Sequence, residues 1–381
     1  MASVPKPRAV EAGFRLVVAG GGTGGHLFPG IAVAQAFSVR HRRNQVLFVN
    51  AGRPLETEVL SRLGWPQRVI AIEGIKGRGL WRQITAAVKV PRAITQSVSI
   101  FREFRPDVVL GVGGYSAGPA VMAAWMMGIR TALHEQNQLP GLTNRLLRRI
   151  VDRIYLTFED DALRFDARRT LVTGNPVRDE IVILGSQEKP APGPGFRVLI
   201  VGGSQGAQAI NRAMADALSR LAEVKGLEVV HQTGSQDETW MRRAYEESGV
   251  PATVQSFYND MAALYNQADL IICRAGATTV AEITTIGKAA VFIPFPHAAD
   301  DHQTGNARAL VAAGAALMIP QEELDGKRLA DTIITLMQDR GRLERLADNA
   351  RSLGRPEAAV TIVNDIYGLM QRNAEEGADG H

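Results

Sequence analysis

The 381-residue chain has one cysteine, Cys273. An intrachain disulfide is therefore excluded, and a cysteine-based structural zinc site lacks its ligands. That fits a reducing compartment. Long hydrophobic runs are also missing. The nearest candidate, Ala120 to Ile129, stops at Arg130, well short of the roughly 18 apolar residues that a membrane-spanning helix needs. The opening MASVPKPRAVEAGFRLVVAG has no apolar core of the kind a secretory signal carries, so a cytoplasmic protein is expected. Aromatic residues make up only 6%. A binder of single-stranded RNA stacks bases on aromatic clusters. The most basic stretch here holds just Trp81, Phe101 and Phe104, so nucleic acid is not expected as a partner.

What is present is ordinary for a folded protein: 45% apolar and 22% charged residues. One core rarely grows past roughly 250–300 residues, so this length predicts two domains. The net charge of +4 is unevenly divided. Residues 1–180 carry 25 Lys and Arg against 14 Asp and Glu, whereas residues 181–381 carry 18 against 25. A basic first half points to an anionic partner there.

Short apolar runs alternate with helical stretches. Residues 14–19, 46–49, 108–112, 131–134 and 154–157 read as buried parallel strands, as do 197–201, 228–232, 270–273 and 290–294. Strand–helix alternation of this kind implies βαβ units. RLVVAGGGTGGH from Arg15 and RVLIVGGSQGAQ from Arg197 repeat one pattern of strand, glycine loop and helix start. The predicted fold class is α/β, with two doubly wound parallel-sheet domains. The expected boundaries are 1–180 for the first domain, 181–195 for a Pro/Gly-rich linker and 196–355 for the second. A last helix over 356–373, with Val360, Val363, Ile366 and Met370 at helical spacing, is expected to pack back on the first domain.

The glycine loops stand at predicted strand ends. In Gly20-Gly21-Gly22-Thr23-Gly24-Gly25-His26, backbone N–H groups and a following helix start can face an anion. The match to G-x-G-x-x-G is weak alone. A dinucleotide site needs an acid at the end of the second strand, where this chain has Asn50. Gly111–Ser116 and Gly202–Gly206 form the second and third loops, and none has a P-loop ending. His134-Glu135-Gln136-Asn137 and the segment Gly174 to Arg178 also sit at strand ends. They either orient sugar hydroxyls and a diphosphate or simply cap loops. Gly276 to Thr279 predicts a helix N-terminus able to take a phosphate. Glu282 beyond it suits a ribose diol, or else serves the helix dipole. Gln303 and Asn306 are three apart, hence on one helix face, and amides suit sugar recognition. The Asp and His residues beside them lack metal-ligand spacing, so no metal and no cofactor is expected.

GGTGGHLFPG, GVGGYSAGP, LHEQN, TGNPVR, VGGSQGAQ, CRAGATTVAE and PFPHAADDHQTGNA occur in that order along nearly the whole chain. In this the sequence resembles the MurG family of bacterial cell-wall N-acetylglucosaminyltransferases, glycosyltransferase family 28. The resemblance implies a GT-B fold, two Rossmann-like domains facing across a cleft. It implies transfer of GlcNAc from UDP-GlcNAc to the MurNAc 4-hydroxyl of undecaprenyl-diphosphate-MurNAc-pentapeptide (lipid I), with inversion, giving lipid II and UDP. Thr23, Gly24 and Gly25 would lie at the sugar-diphosphate, Asn137 and Gln303 at GlcNAc, Arg178 and Ser204 at the diphosphate. The run Ala277, Thr278, Thr279, Val280, Ala281 and Glu282 would contact diphosphate and ribose, and Tyr258 would meet uracil through its main chain. His26 is the first candidate base and Glu135 the second; His26 could equally hydrogen-bond the acceptor diphosphate.

Residues 74–105 and 142–153 interleave arginine and lysine with apolar side chains, as interfacial binding to anionic lipid requires. Ile75, Leu80, Trp81 and Ile84 are the expected lipid contacts; the competing reading buries such residues in the core. The expected location is the cytoplasmic face of the inner membrane, peripherally bound, with cell-division and cell-wall enzymes as candidate partners. A UDP-GlcNAc 2-epimerase, which shares fold and donor, is the competing enzyme; a nucleotide-sugar-binding regulator is the non-enzymatic alternative.

Overall fold

A computed structural model describes residues 13–72, 80–159, 165–187, 193, 195–203, 206–258, 260–296, 298 and 301–376, the backbone alone for 80–88 and 372–376. The chain divides into two compact units. One comprises Met1–Arg178 and Glu357–His381, the other Asp179–Pro356.

The strands of the first unit are β1 (Arg15–Ala19), β2 (Gln45–Asn50), β3 (Gln67–Val69), β4 (Val108–Gly111), β5 (Arg130–Glu135), β6 (Arg153–Leu156) and β7 (Thr170–Val172). They form one parallel sheet in the order β3-β2-β1-β4-β5-β6-β7. The second unit has β8 (Phe196–Val201), β9 (Leu227–Gln232), β10 (Ala252–Gln255), β11 (Leu270–Cys273), β12 (Ala289–Phe292) and β13 (Leu317–Met318). Their order is β10-β9-β8-β11-β12-β13, again parallel.

The continuous apolar runs follow from helices on both faces. Along β1, Leu16 and Val18 enter one core cluster while Val17 and Ala19 enter another on the opposite face. Strand order reverses beside β1 and β4 in the first sheet and beside β8 and β11 in the second. A doubly wound sheet binds ligands at the carboxyl ends of such switch strands. The glycine loops after β1, β4 and β8, and the turn before Gly276, stand at those four ends.

The helix Ala358–Glu376 joins the first unit and packs along helix Gly24–Arg40. Ile362, Val363, Ile366 and Met370 sit in the core with Phe37, and Tyr367 meets Phe14 edge-on at 5.2 Å. Val360 does not belong to that stripe: it is 46% exposed, and Ile362 takes the inward place. Asp365 accepts from Arg153 Nε (2.8 Å) and Tyr155 Oη (2.9 Å), fastening the helix to β6.

The expected linker begins later than 181. Asp179–Ser186 is a helix that packs on helices Ala277–Ile286 and Met261–Gln267, with Ile181 fully buried. The apolar run Ile181-Val182-Ile183-Leu184 sustains a helical turn before the prolines intervene. Residues 188–192 and 194 lie outside the described residues.

Candidate active site

The first glycine loop is built by packing as much as by openness. Gly20 N–H donates to Val49 O (3.0 Å) and Gly21 N–H to Gly113 O (3.2 Å). A Cβ on Gly20 would meet Gly113 O at 2.2 Å, and one on Gly114 would meet Gly21 O at 2.5 Å. The first and second loops thus lie backbone against backbone, at positive φ that side chains rarely adopt. Gly22 N–H donates to Glu56, a fully buried carboxylate that also accepts from Arg53 N (2.8 Å). The first three glycine amides are therefore committed inside the protein. The helix that follows starts at Thr23, Gly24 and Gly25.

Helix Gly24–Arg40 has no side-chain cap and no acid in its first turn. The same holds for Ala277–Ile286, whose N-cap is Gly276. Elsewhere Asp260, Asp325 and Asp339 cap their helices by accepting a backbone N–H. A Cβ on Gly276 would meet nothing closer than Thr279 Oγ1 at 3.9 Å, so the space before this helix start is open. Thr278 and Thr279 are half-buried beside them, whereas Ala277, Val280 and Ala281 are buried. Glu282, also buried, accepts from Tyr265 Oη at 3.1 Å.

His26 is half-buried, with Nδ1 3.1 Å from Thr23 Oγ1 and its ring against Gly113. His134 is fully buried. Burial is the main cause that brings its pKa down to about 4, with the nearby His26 also lowering it. Its Nδ1 faces Gln136 Nε2 (3.1 Å), which also donates to Val112 O (2.8 Å). A neutral imidazole thereby ties β5 to the second glycine loop.

Glu135 is engaged by donors of its own turn. Its carboxylate is buried and accepts from Asn137 N (3.0 Å), Gly141 N (2.9 Å) and Asn144 Nδ2 (2.8 Å). Burial raises its pKa, against the lowering effect of those bonds. It is the organiser of the turn that presents Asn137, which is half-buried. Asn306 is likewise internal: fully buried, it donates to Ala275 O (3.1 Å) and braces the turn before Gly276, while Gln303, on the same helix, stays accessible. Gln303 Oε1 accepts from Phe295 N (3.0 Å). Arg178 lies over the Phe28 ring at 5.2 Å. Tyr258 N–H donates to Gln232 Oε1 (3.1 Å), so this amide is already engaged within the protein. Ser204 and Ile75 lie outside the described residues, as do the side chains of Leu80, Trp81 and Ile84.

Three supports were missed in the sequence. Glu56 carries a partial signal, since Pro54 marks the helix start and Glu56, at the third helical position, forms a capping box with Arg53. Arg274 donates to Ile293 O (3.0 Å), Pro294 O (3.1 Å) and Gln321 Oε1 (2.8 Å), and burial lowers its pKa to about 10. His231, buried on β9, bridges Tyr245 Oη and Asn211 Oδ1 at 3.0 Å each. These two long-range contacts leave no local pattern.

Two doubly wound parallel-sheet domains of this kind make up the GT-B fold found in glycosyltransferases. The pattern of the Glycosyltransferase family 28 N-terminal domain matches residues 16–156, and that of the family's C-terminal domain matches residues 197–366. A protein of Syntrophus aciditrophicus (strain SB), named UDP-N-acetylglucosamine--N-acetylmuramyl-(pentapeptide) pyrophosphoryl-undecaprenol N-acetylglucosamine transferase, is 51% identical over 94% of this chain and 99% of its own. The crystal structure of Acinetobacter baumannii MurG superposes with a TM-score of 0.75 at 33% identity, covering 93% of this chain and 99% of that one. A UDP-GlcNAc 2-epimerase from Neisseria meningitidis, bound to UDP-GlcNAc, shares the fold alone: TM-score 0.66 at 15% identity, over 93% and 99% of the two chains. The chain belongs to glycosyltransferase family 28.

Proposed function

We propose that this protein transfers GlcNAc from UDP-GlcNAc to the MurNAc 4-hydroxyl of undecaprenyl-diphosphate-MurNAc-pentapeptide, giving UDP and a β-1,4-linked lipid II. The observation that carries the reading is the helix start at Gly276, which has neither a side-chain cap nor an acid in its first turn and opens on uncrowded space at the end of the switch strand β11. It suits a diphosphate, and Glu282 farther along the helix suits the ribose diol.

In one in-line displacement the acceptor oxygen bonds to the sugar's C1 as the bond from C1 to the diphosphate oxygen breaks. The α donor becomes a β product. The electron pair leaves on UDP, stabilised by the helix amides that follow Gly276. The proton of the acceptor hydroxyl passes to His26 Nε2. That requires the tautomer in which Nδ1–H donates to Thr23 Oγ1, the pair found 3.1 Å apart. Thr23→Val is then expected to lower kcat, and Thr23→Ser to restore it. His26→Ala is expected to lower kcat by about 100-fold or more.

The lipid-linked acceptor requires docking at the cytoplasmic face of the membrane. No helix among the described residues is long and apolar enough to cross a membrane. Leu142 is 53% exposed and Leu146 70%, on a short helix beside Arg145, Arg148 and Arg149, which supports interfacial contact. Leu80, Trp81, Ile84 and Ile75 extend the same proposal. Replacing Leu142 and Leu146 by Ser should weaken sedimentation with anionic vesicles; unchanged sedimentation overturns this part.

The test of the activity is UDP release from UDP-GlcNAc with and without a lipid I analogue, with linkage analysis of the product. Acceptor-dependent release with a β-1,4 disaccharide is expected. Release without acceptor, together with ManNAc, would replace this reading by the epimerase.

A further inference from the structure

Glu282 reaches its place with help from another element. Tyr265 lies on helix Met261–Gln267, immediately before β11, and Glu282 on the helix immediately after it. The ring is buried at 2% exposure, and its hydroxyl donates to Glu282 Oε2 at 3.1 Å. A phenol buried in this way needs an acceptor, and a carboxylate bonded on one oxygen keeps a fixed plane. The Tyr265 helix is itself anchored at both ends. Asp260 caps its start through Ala263 N (2.9 Å), while Lys288 Nζ donates to Asn266 O (2.9 Å) and Ala268 O (2.8 Å) at its end. Lys288 follows the helix that carries Glu282, so both helices are tied to each other at the far end too.

We propose that Tyr265 is a positioning residue for donor recognition: its hydroxyl holds the Glu282 carboxylate in the plane that accepts the two ribose hydroxyls, and so makes this protein prefer ribonucleotide over deoxyribonucleotide donors. The inference rests on the reading that Glu282 contacts the ribose. A residue that acts only through Glu282 changes the discrimination between sugars, whereas a residue that merely supports the fold changes affinity for both alike.

Calorimetric titration of the full chain with UDP and with 2′-deoxy-UDP separates these. The wild type is expected to bind UDP more tightly. Tyr265→Phe, which keeps the ring and removes one charge-assisted hydrogen bond, is expected to weaken UDP binding about tenfold and 2′-deoxy-UDP, which keeps only the 3′-hydroxyl, distinctly less. An equal loss for both nucleotides, or no loss for either, overturns the proposal. Glu282→Gln distinguishes the two levels. If it abolishes the preference while Tyr265→Phe does not, only the positioning role falls. If wild type and Glu282→Gln bind both nucleotides alike, the ribose reading itself falls. Thermal midpoints of both variants accompany the titrations; a Tyr265→Phe protein that is folded but retains full preference counts against the proposal.

Discussion

Glu135 illustrates how a buried carboxylate can organise a turn. Its two oxygens accept three donors, so an amide in its place would turn a donor toward at least one of them. Glu135→Gln should therefore cost about 1–3 kcal/mol of stability, read as a lowered thermal midpoint. A catalytic base would instead lose kcat with an unchanged midpoint. The two buried histidines give a pH signature. Burial lowers His134 to about 4 and His231 to about 3, against an ordinary 6.5. Between those values the unfolded chain binds the protons and the folded protein does not, so stability is full above pH 6.5 and falls as pH drops below it. Each histidine contributes about 1.4 kcal/mol per pH unit within its window. Thermal midpoints measured from pH 6.5 to 4.5 should fall, and His231→Gln should fall less steeply.

The helix Ala358–Glu376 shows what periodicity can and cannot say about an element. Its existence was readable from apolar spacing, but the inward face was set by where the neighbouring helix lies. Ile366 is fully buried beside Phe37, so Ile366→Ala should cost about 2–5 kcal/mol by urea unfolding, while Val360→Ala should cost little. The strands divide in the same way. β1, β4, β8 and β11, covered on both faces, carry continuous apolar runs and were legible. β3, β7, β10 and β13 are short edge strands with half-exposed residues such as Gln67 and Arg68, and they left no run to read. Among site residues, those on glycine-marked turns were visible because the turn chemistry is local. Tyr265, Arg274 and His231 were not, because their partners come from other elements.

The whole molecule pairs a continuous unit, Asp179–Pro356, with one assembled from two separate stretches. The continuous unit has its own core, from Phe196 through Ile333 to Leu346. Expressed alone, residues 179–356 should unfold cooperatively, whereas 1–178 alone would uncover Phe37, against which Tyr367 of the last helix packs. Far-UV circular dichroism melts of the two pieces check this; a cooperative melt for 1–178 would show that the last helix is dispensable.

That arrangement also orders events on the ribosome. Every residue of the second unit is translated before the first unit receives Ile362, Ile366 and Tyr367. The half that starts synthesis is thus the half that finishes maturing last, and nascent chains must carry an open groove along Gly24–Arg40 while some 180 further residues are added. Chaperone capture during synthesis should fall on that groove.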